Sequence, residues 1–167
     1  LSVYGSSKAA GDVAVAQGER HYIVRTSWVV GEGRNFVRTM ADLARRGISP
    51  SVVDDQFGRL TFAEDLAAGI VHLISTDAPY GTYNLTNSGP VQSWWNIARE
   101  VFALCGRDLD DVIPVSTEDY GGGKIFAPRP RHSALALEKI VATGFRPPAP
   151  DERLRTYVAG LSALNPK

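Results

Sequence analysis

Tyr4 and Lys8 stand four positions apart in the run VYGSSKAAGD, residues 3–12. On a helix that spacing puts both side chains on one face. A free phenol, with a pKa of about 10, is a poor proton donor or acceptor near neutrality. A neighbouring ammonium stabilises the phenolate and brings the group toward useful acid–base work. The pair then suits a reaction in which a proton reaches a developing alkoxide while hydride arrives from elsewhere. The spacing alone fits a solvated helix face equally well, so its meaning depends on the elements around it.

Those elements alternate. Residues 3–19 read as a helix interrupted by Gly5 and Gly11, and residues 21–30 (HYIVRTSWVV) as one strand rich in β-branched and aromatic side chains. Residues 35–47 read as a helix capped by Asn35 and ended by Gly47, with Phe36, Met40 and Leu43 on its apolar stripe. A short strand is expected at 49–54. A helix at 61–76 opens on Thr61 and Glu64 at capping-box spacing. A strand at 81–87 and a helix at 93–106, capped by Ser93 and stopped by Gly106, follow. Residues 110–117 suggest a last strand and 118–133 a glycine- and proline-rich loop. Helices are expected at 134–144 and 152–164, separated by the breaker RPPAP. Alternating βα units favour an α/β architecture with parallel strands.

The chain has 167 residues, 44% of them apolar, and eighteen basic against eighteen acidic side chains. This balance offers no attraction for nucleic acid or an anionic membrane surface. No apolar run approaches the roughly 20 residues a membrane span needs. The one cysteine, Cys105, cannot form an internal disulfide and reads as a small buried hydrophobe, which suits a reducing, cytoplasmic compartment. No histidine or cysteine pair has metal-ligand spacing, and His21 and His72 read as structural. The chain opens on Leu1 rather than Met, without a signal-peptide pattern, as a trimmed chain or fragment would.

Five segments occur in order: VYGSSKAAGD, YIVRTSWVVGEGRNFVRTM, VVDDQFGRLTFAEDLA, GTYNLTNSGPVQSWWNIAREVF and RPRHSAL. Together they resemble the carboxy-terminal half of the dTDP-4-dehydrorhamnose reductases, a family of the extended short-chain dehydrogenase/reductase superfamily. The resemblance implies part of a Rossmann-like doubly wound parallel sheet plus a small α/β substrate-binding lobe. It implies a division at about residue 60: 1–60 as the tail of the dinucleotide-binding domain with the Tyr-Lys helix, and 61–167 as remaining sheet elements and substrate lobe. The front half, with its Gly-rich phosphate turn, is expected to be absent. GEGRNF (31–36) starts like that turn but has Phe36 in place of the third glycine, and GGG (121–123) leads into no helix from a strand.

The resemblance further implies reduction of dTDP-4-dehydro-L-rhamnose to dTDP-L-rhamnose with NADPH or NADH, the fragment alone being inactive. Tyr4 would protonate the sugar C4 oxygen, and Lys8 would hold the cofactor ribose and tune Tyr4. Trp28 would stack on the substrate, Asn35 would combine capping with ligand contact, and Asp55 and Gln56 would hydrogen-bond the nucleotide portion or only organise a turn. Arg129 and Arg131 would meet the diphosphate, for which planar guanidinium forks are suited. His132 departs from the asparagine usual in that stretch and puts the local contact in doubt. Of the adjacent Trp94 and Trp95, one is expected in the core and the other over a sheet edge. Magnesium occurs at a dimer contact in some members, and nothing in this sequence identifies ligands for it. Implied partners are the dTDP-sugar, a second copy in a homodimer, and either the absent amino-terminal half or a fused epimerase domain. A reductase-like regulatory subunit without catalysis, and another nucleotide-sugar epimerase or dehydratase, remain open as alternatives at this level.

Overall fold

The computed structural model describes residues 2–123 and 127–164. In chain order the elements are α1 (Val3–Val15), β1 (Tyr22–Arg25), β2 (Val29–Val30), α2 (Phe36–Arg45), β3 (Ser51–Val53), β4 (Phe57–Gly58), β5 (Thr61–Phe62), α3 (Ala63–Ser75), β6 (Gly81–Asn84), β7 (Gln92–Ser93), α4 (Trp94–Leu104), β8 (Ile113–Val115), α5 (Thr117–Gly121), α6 (Glu138–Ala142) and α7 (Asp151–Leu164). One turn of 3₁₀ helix, Leu109–Asp111, precedes β8.

The strands pair two by two. β1 with β6, β2 with β5 and β3 with β8 are parallel, and β4 with β7 is antiparallel. Parallel pairs need crossover connections; α2 lies within the crossover from β2 to β5, and α3 joins β5 to β6. Gly69 lets α3 lie close to its neighbour, because a Cβ there would sit 2.4 Å from Leu85 Cδ2.

Two apolar clusters hold the described residues together. The larger gathers Val37, Met40, Ala41 and Ala44 of α2, Ile97, Ala98, Val101 and Phe102 of α4, and Leu154, Val158 and Leu161 of α7 around Val30, Val52 and Phe62. Each helix contributes positions three or four apart, the spacing that makes one face. The smaller contains Leu73, Ala78, Tyr83, Leu85 and Ile140. α1 has no buried residue. It is tied down by the Asp12 carboxylate, which accepts from Arg25 at 2.7 Å.

Several expectations are corrected. The single strand at 21–30 is two short strands, because Trp28 between them has φ +49°, a left-handed value that no continuous strand accommodates. The buried stripe of α2 is Val37, Met40, Ala41 and Ala44; Phe36 and Leu43 only flank it. Thr61 does not cap α3: it is a buried residue of β5, and its hydroxyl donates to Ser27 O at 2.6 Å. The helix at 134–144 shrinks to α6 because Leu135 O and Ala136 O accept from the Arg59 and Asn84 side chains and hold that stretch out of a helix. The loop at 118–133 begins inside α5, whose cap Ser116 accepts from Asp119 N at 3.0 Å; its residues 124–126 lie outside the described residues.

Candidate active site

Tyr4 and Lys8 share the exposed face of α1, with Lys8 Nζ 5.7 Å from the Tyr4 ring centroid. Ser2 starts this helix by accepting from Gly5 N. Tyr4 is 68% exposed, and no described residue covers the pair. A phenol and an ammonium thus share one exposed helix face.

A second feature lies elsewhere in the fold. A cleft of about 530 Å³ opens between α2, β3, α4 and α5. Its apolar walls are Phe36, Met40, Val52, Val53 and Trp94; Gln56, Thr117 and Arg129 supply polar groups. The Phe36 and Trp94 rings meet at 4.5 Å between centroids. Arg129 reaches this cleft because its loop is pinned to β4: Phe57 N donates to Arg131 O and Ser133 N donates to Phe57 O, each at 2.7 Å. His132 continues that attachment by stacking on Phe57 at 5.3 Å.

Gln56 sits in a short hydrogen-bonded chain. Its Nε2 donates to Thr117 Oγ1 at 3.0 Å, and Thr117 donates to Asp55 Oδ1 through both its hydroxyl and its backbone N–H. The Thr117 hydroxyl bond, more than any other contact, holds the Asp55 carboxyl below the usual carboxylate range, and the nearby Arg131 charge adds to this.

Trp28 is half-buried and stacks on Trp94, with centroids 3.7 Å apart and planes 18° from parallel. It also lies against Gly58, where a Cβ would be 2.7 Å from its ring. Trp28 therefore backs the aromatic wall, and Trp94 lines the cleft. Neither Trp94 nor Trp95 belongs to the fully buried core: Trp95 Nε1 donates to Val112 O at 2.9 Å and its ring carries the Arg99 guanidinium.

Asn35 caps α2, accepting from Arg38 N at 3.0 Å. Its Nδ2 donates to Gly31 O at 2.9 Å and to Tyr157 Oη at 2.6 Å, and Tyr157 donates to Gly31 O at 2.7 Å. The GEGRNF turn thus folds around its own asparagine side chain.

Of the side chains singled out in the sequence, the structure brings Gln56 and Arg129 together in the cleft and Tyr4 and Lys8 together on α1, while Asp55 is taken up by Thr117. Trp28 stands behind the cleft wall, Asn35 beside it, and Arg131 near Asp55. Phe36, Trp94 and Thr117, which line the cleft, are not marked as site residues by the sequence reading. Their signals were present in NFV, SWW and the cap-like ST, and each also fits an ordinary structural role. Among the described residues no group of three or more His, Cys, Asp or Glu side chains is placed to hold a metal ion, and no helix is long and apolar enough to cross a membrane.

The family described as RmlD substrate binding domain matches residues 1–162. The chain belongs to this family. Among its relatives, the spore coat polysaccharide biosynthesis protein SpsK of Bacillus subtilis is 37% identical over 159 residues, covering 94% of this chain and 54% of that protein. The dTDP-4-dehydrorhamnose reductase of Aggregatibacter actinomycetemcomitans is 36% identical over 160 residues, covering 88% of this chain and 53% of the relative. The crystal structure of dTDP-4-dehydrorhamnose reductase from Bacillus anthracis in complex with NADP superposes with a TM-score of 0.83 at 37% identity, over 94% of this chain and 55% of that one. The RmlD-type chain has the expected α/β fold, and it spans about half the length of the curated relatives it matches.

Proposed function

We propose that this chain is the substrate-binding and proton-donating half of an NAD(P)H-dependent reductase that converts dTDP-4-dehydro-L-rhamnose to dTDP-L-rhamnose in the cytoplasm. The observation that carries the reading is the pairing of Tyr4 and Lys8 on an uncovered helix face, in a chain similar to reductases named for that substrate.

The residues present fit a nicotinamide dinucleotide. The exposed face of α1 leaves room for it, and no acidic residue within the described part forms an ion pair with Lys8 that a ribose would have to displace. Lys8 would hold ribose hydroxyls, and Tyr4 would stand beside the reacting end. When bound, the cofactor supplies hydride to the sugar C4. Tyr4 Oη gives its proton to the C4 oxygen as that oxygen gains charge. The Lys8 ammonium stabilises the negative charge left on Tyr4. The turn that binds the cofactor pyrophosphate belongs, in this reading, to the part of the relatives that this chain does not span.

The cleft serves the nucleotide end of the substrate. Trp94 and Phe36 offer flat apolar surface for a base, Gln56 a hydrogen bond, and Arg129 a forked cation for the diphosphate. Trp28 and Asn35 act on substrate through the wall and the turn they fix, and the Arg131 charge adds to the attraction for an anion.

The test is turnover by the full-length gene product with NADPH and dTDP-4-dehydrorhamnose, followed by loss of nicotinamide absorbance and by identification of the sugar product. Formation of dTDP-rhamnose supports the reading. Absence of turnover with this and other nucleotide keto sugars, in a folded protein that still binds dTDP, replaces it with a non-catalytic binding subunit.

A further inference from the structure

We propose that Gln56 selects the base: it presents its side-chain carbonyl, not its amino group, to the cleft, and so accepts the imide N3–H of thymine or uracil and rejects cytosine. This deepens the reading of the cleft as a nucleotide subsite and rests on it.

The argument is a count of protons. Asp55 accepts from Thr117 twice, from the backbone N at 3.0 Å and from the hydroxyl. Its carboxyl lies below the usual carboxylate range, first of all because of that hydroxyl, so it is ionised near neutrality and can only accept. A threonine hydroxyl has one proton, and Asp55 takes it. What the hydroxyl turns toward Gln56 is a lone pair. Gln56 lies 3.0 Å away, and only its NH₂ end can fill that position. The amide is planar, so fixing Nε2 on Thr117 turns Oε1 away from it. That oxygen accepts from no donor among the described residues, while Gln56 itself lines the cleft beside Trp94 and Arg129. A residue 61 positions away in sequence thus decides which end of an amide the site shows.

A bare acceptor in an apolar-walled cleft favours a ligand edge that donates. Thymine and uracil offer N3–H; cytosine has a lone pair at the same ring position, so in the same pose two acceptors face each other, and its own donor, the exocyclic N4–H₂, meets Oε1 only if the base shifts in the cleft. Dimension does not separate these bases, so the discrimination falls on the hydrogen bond.

The experiment is calorimetric titration of the protein with dTDP, dUDP and dCDP. We expect dTDP and dUDP to bind at least about tenfold more tightly than dCDP, as when a site built for a hydrogen bond meets an analogue that leaves it unpaired. Thr117→Val removes the lone pair that orients the amide; the preference should shrink to within about threefold, while Thr117→Ser keeps it. Gln56→Leu leaves the Asp55–Thr117 pair whole, should also abolish the preference, and covers the case in which Thr117→Val fails to fold. Equal binding of all three nucleotides, a preference for dCDP, or an undiminished preference in Gln56→Leu overturns the proposal and leaves the nucleotide cleft standing. Failure of all three to bind overturns the cleft reading and the proposal with it.

Discussion

Replacing Gly58 with alanine adds a single methyl group where the Trp28 indole already crowds the backbone. An ideal Cβ at this position lies 2.7 Å from Trp28 Cε2, 2.8 Å from Cζ2 and 3.0 Å from Cδ2. The closest approach is about 0.7 Å inside the 3.4 Å at which ordinary contact begins. The ring has little room to retreat: it stacks on Trp94 with centroids 3.7 Å apart, and Trp94 in turn touches Phe36. Overpacking of this kind costs about 1–3 kcal/mol. Loss of glycine freedom in the unfolded chain returns about 0.4–1 kcal/mol, since Gly58 is not among the glycines with positive φ. The difference spans about 0–2.5 kcal/mol, and the 2.7 Å approach to a ring that is itself stacked puts the expected net loss in the upper half, about 1–2.5 kcal/mol. Urea denaturation gives the free energy, and near-ultraviolet circular dichroism reports the geometry of the stacked indoles. Because Trp94 lines the cleft, affinity for dTDP should fall as well. A Gly58→Ala protein with wild-type stability, an unchanged aromatic spectrum and unchanged dTDP affinity would refute the wedged-indole description.

Asn35→Asp keeps an acceptor for the α2 cap and removes the amide that donates to Gly31 O and Tyr157 Oη; we expect a loss of about 1–2 kcal/mol in chemical denaturation, and an unchanged midpoint would show that capping is the residue's whole role. Arg153→Met strips the guanidinium from Asp65, whose side chain is only 8% exposed, leaving the Asn87 amide at 2.7 Å as its remaining donor among the described residues. Because Arg153 itself is half-exposed, the loss should sit near the lower end of about 1–3 kcal/mol, again read by denaturation. Asp55 has a folded pKa below its unfolded value, so its contribution is present above the unfolded value of about 3.9 and fades as pH falls through the folded one. The stability difference between wild type and Asp55→Asn should thus grow as pH rises to about 4 and stay flat above it; a difference confined to neutral or alkaline pH contradicts the assignment.

The sequence was most informative where one local interaction decides the outcome. Asn35 and Ser93 are caps in the structure as their spacing suggests, Ser93 with Asn96 as a full capping box, because a short polar side chain before an apolar period has few better uses. The same logic failed at Thr61. Its spacing to Glu64 imitates a capping box, but its hydroxyl is engaged across the fold by Ser27 O and Thr26 Oγ1. The strand at 21–30 failed at Trp28 for a similar reason: stacking on Trp94 and contact with Gly58 accompany a left-handed backbone that no local pattern foretells. At the site, Tyr4 and Lys8 were legible because helical periodicity alone brings them together. Gln56 and Arg129 were named on resemblance, and their meeting in one cleft depends on the Phe57 backbone bonds to Arg131 and Ser133. The role of Thr117 was hidden because its two partners, Asp55 and Gln56, reach it only through tertiary structure.

The central claim is that Tyr4 is the proton donor of a reductase. Tyr4→Phe removes one oxygen from a side chain that is 68% exposed and belongs to no buried cluster, so folding should be unaffected. The decisive measurement is stopped-flow oxidation of NADPH by the full-length gene product with dTDP-4-dehydrorhamnose, wild type against Tyr4→Phe. General acid catalysis is typically worth about 10² to 10⁴ in rate, so kcat should fall by at least about a hundredfold while KM for the sugar nucleotide changes little. A Tyr4→Phe enzyme that keeps more than about a third of wild-type kcat contradicts the account, because the loss of an essential proton donor cannot be that small.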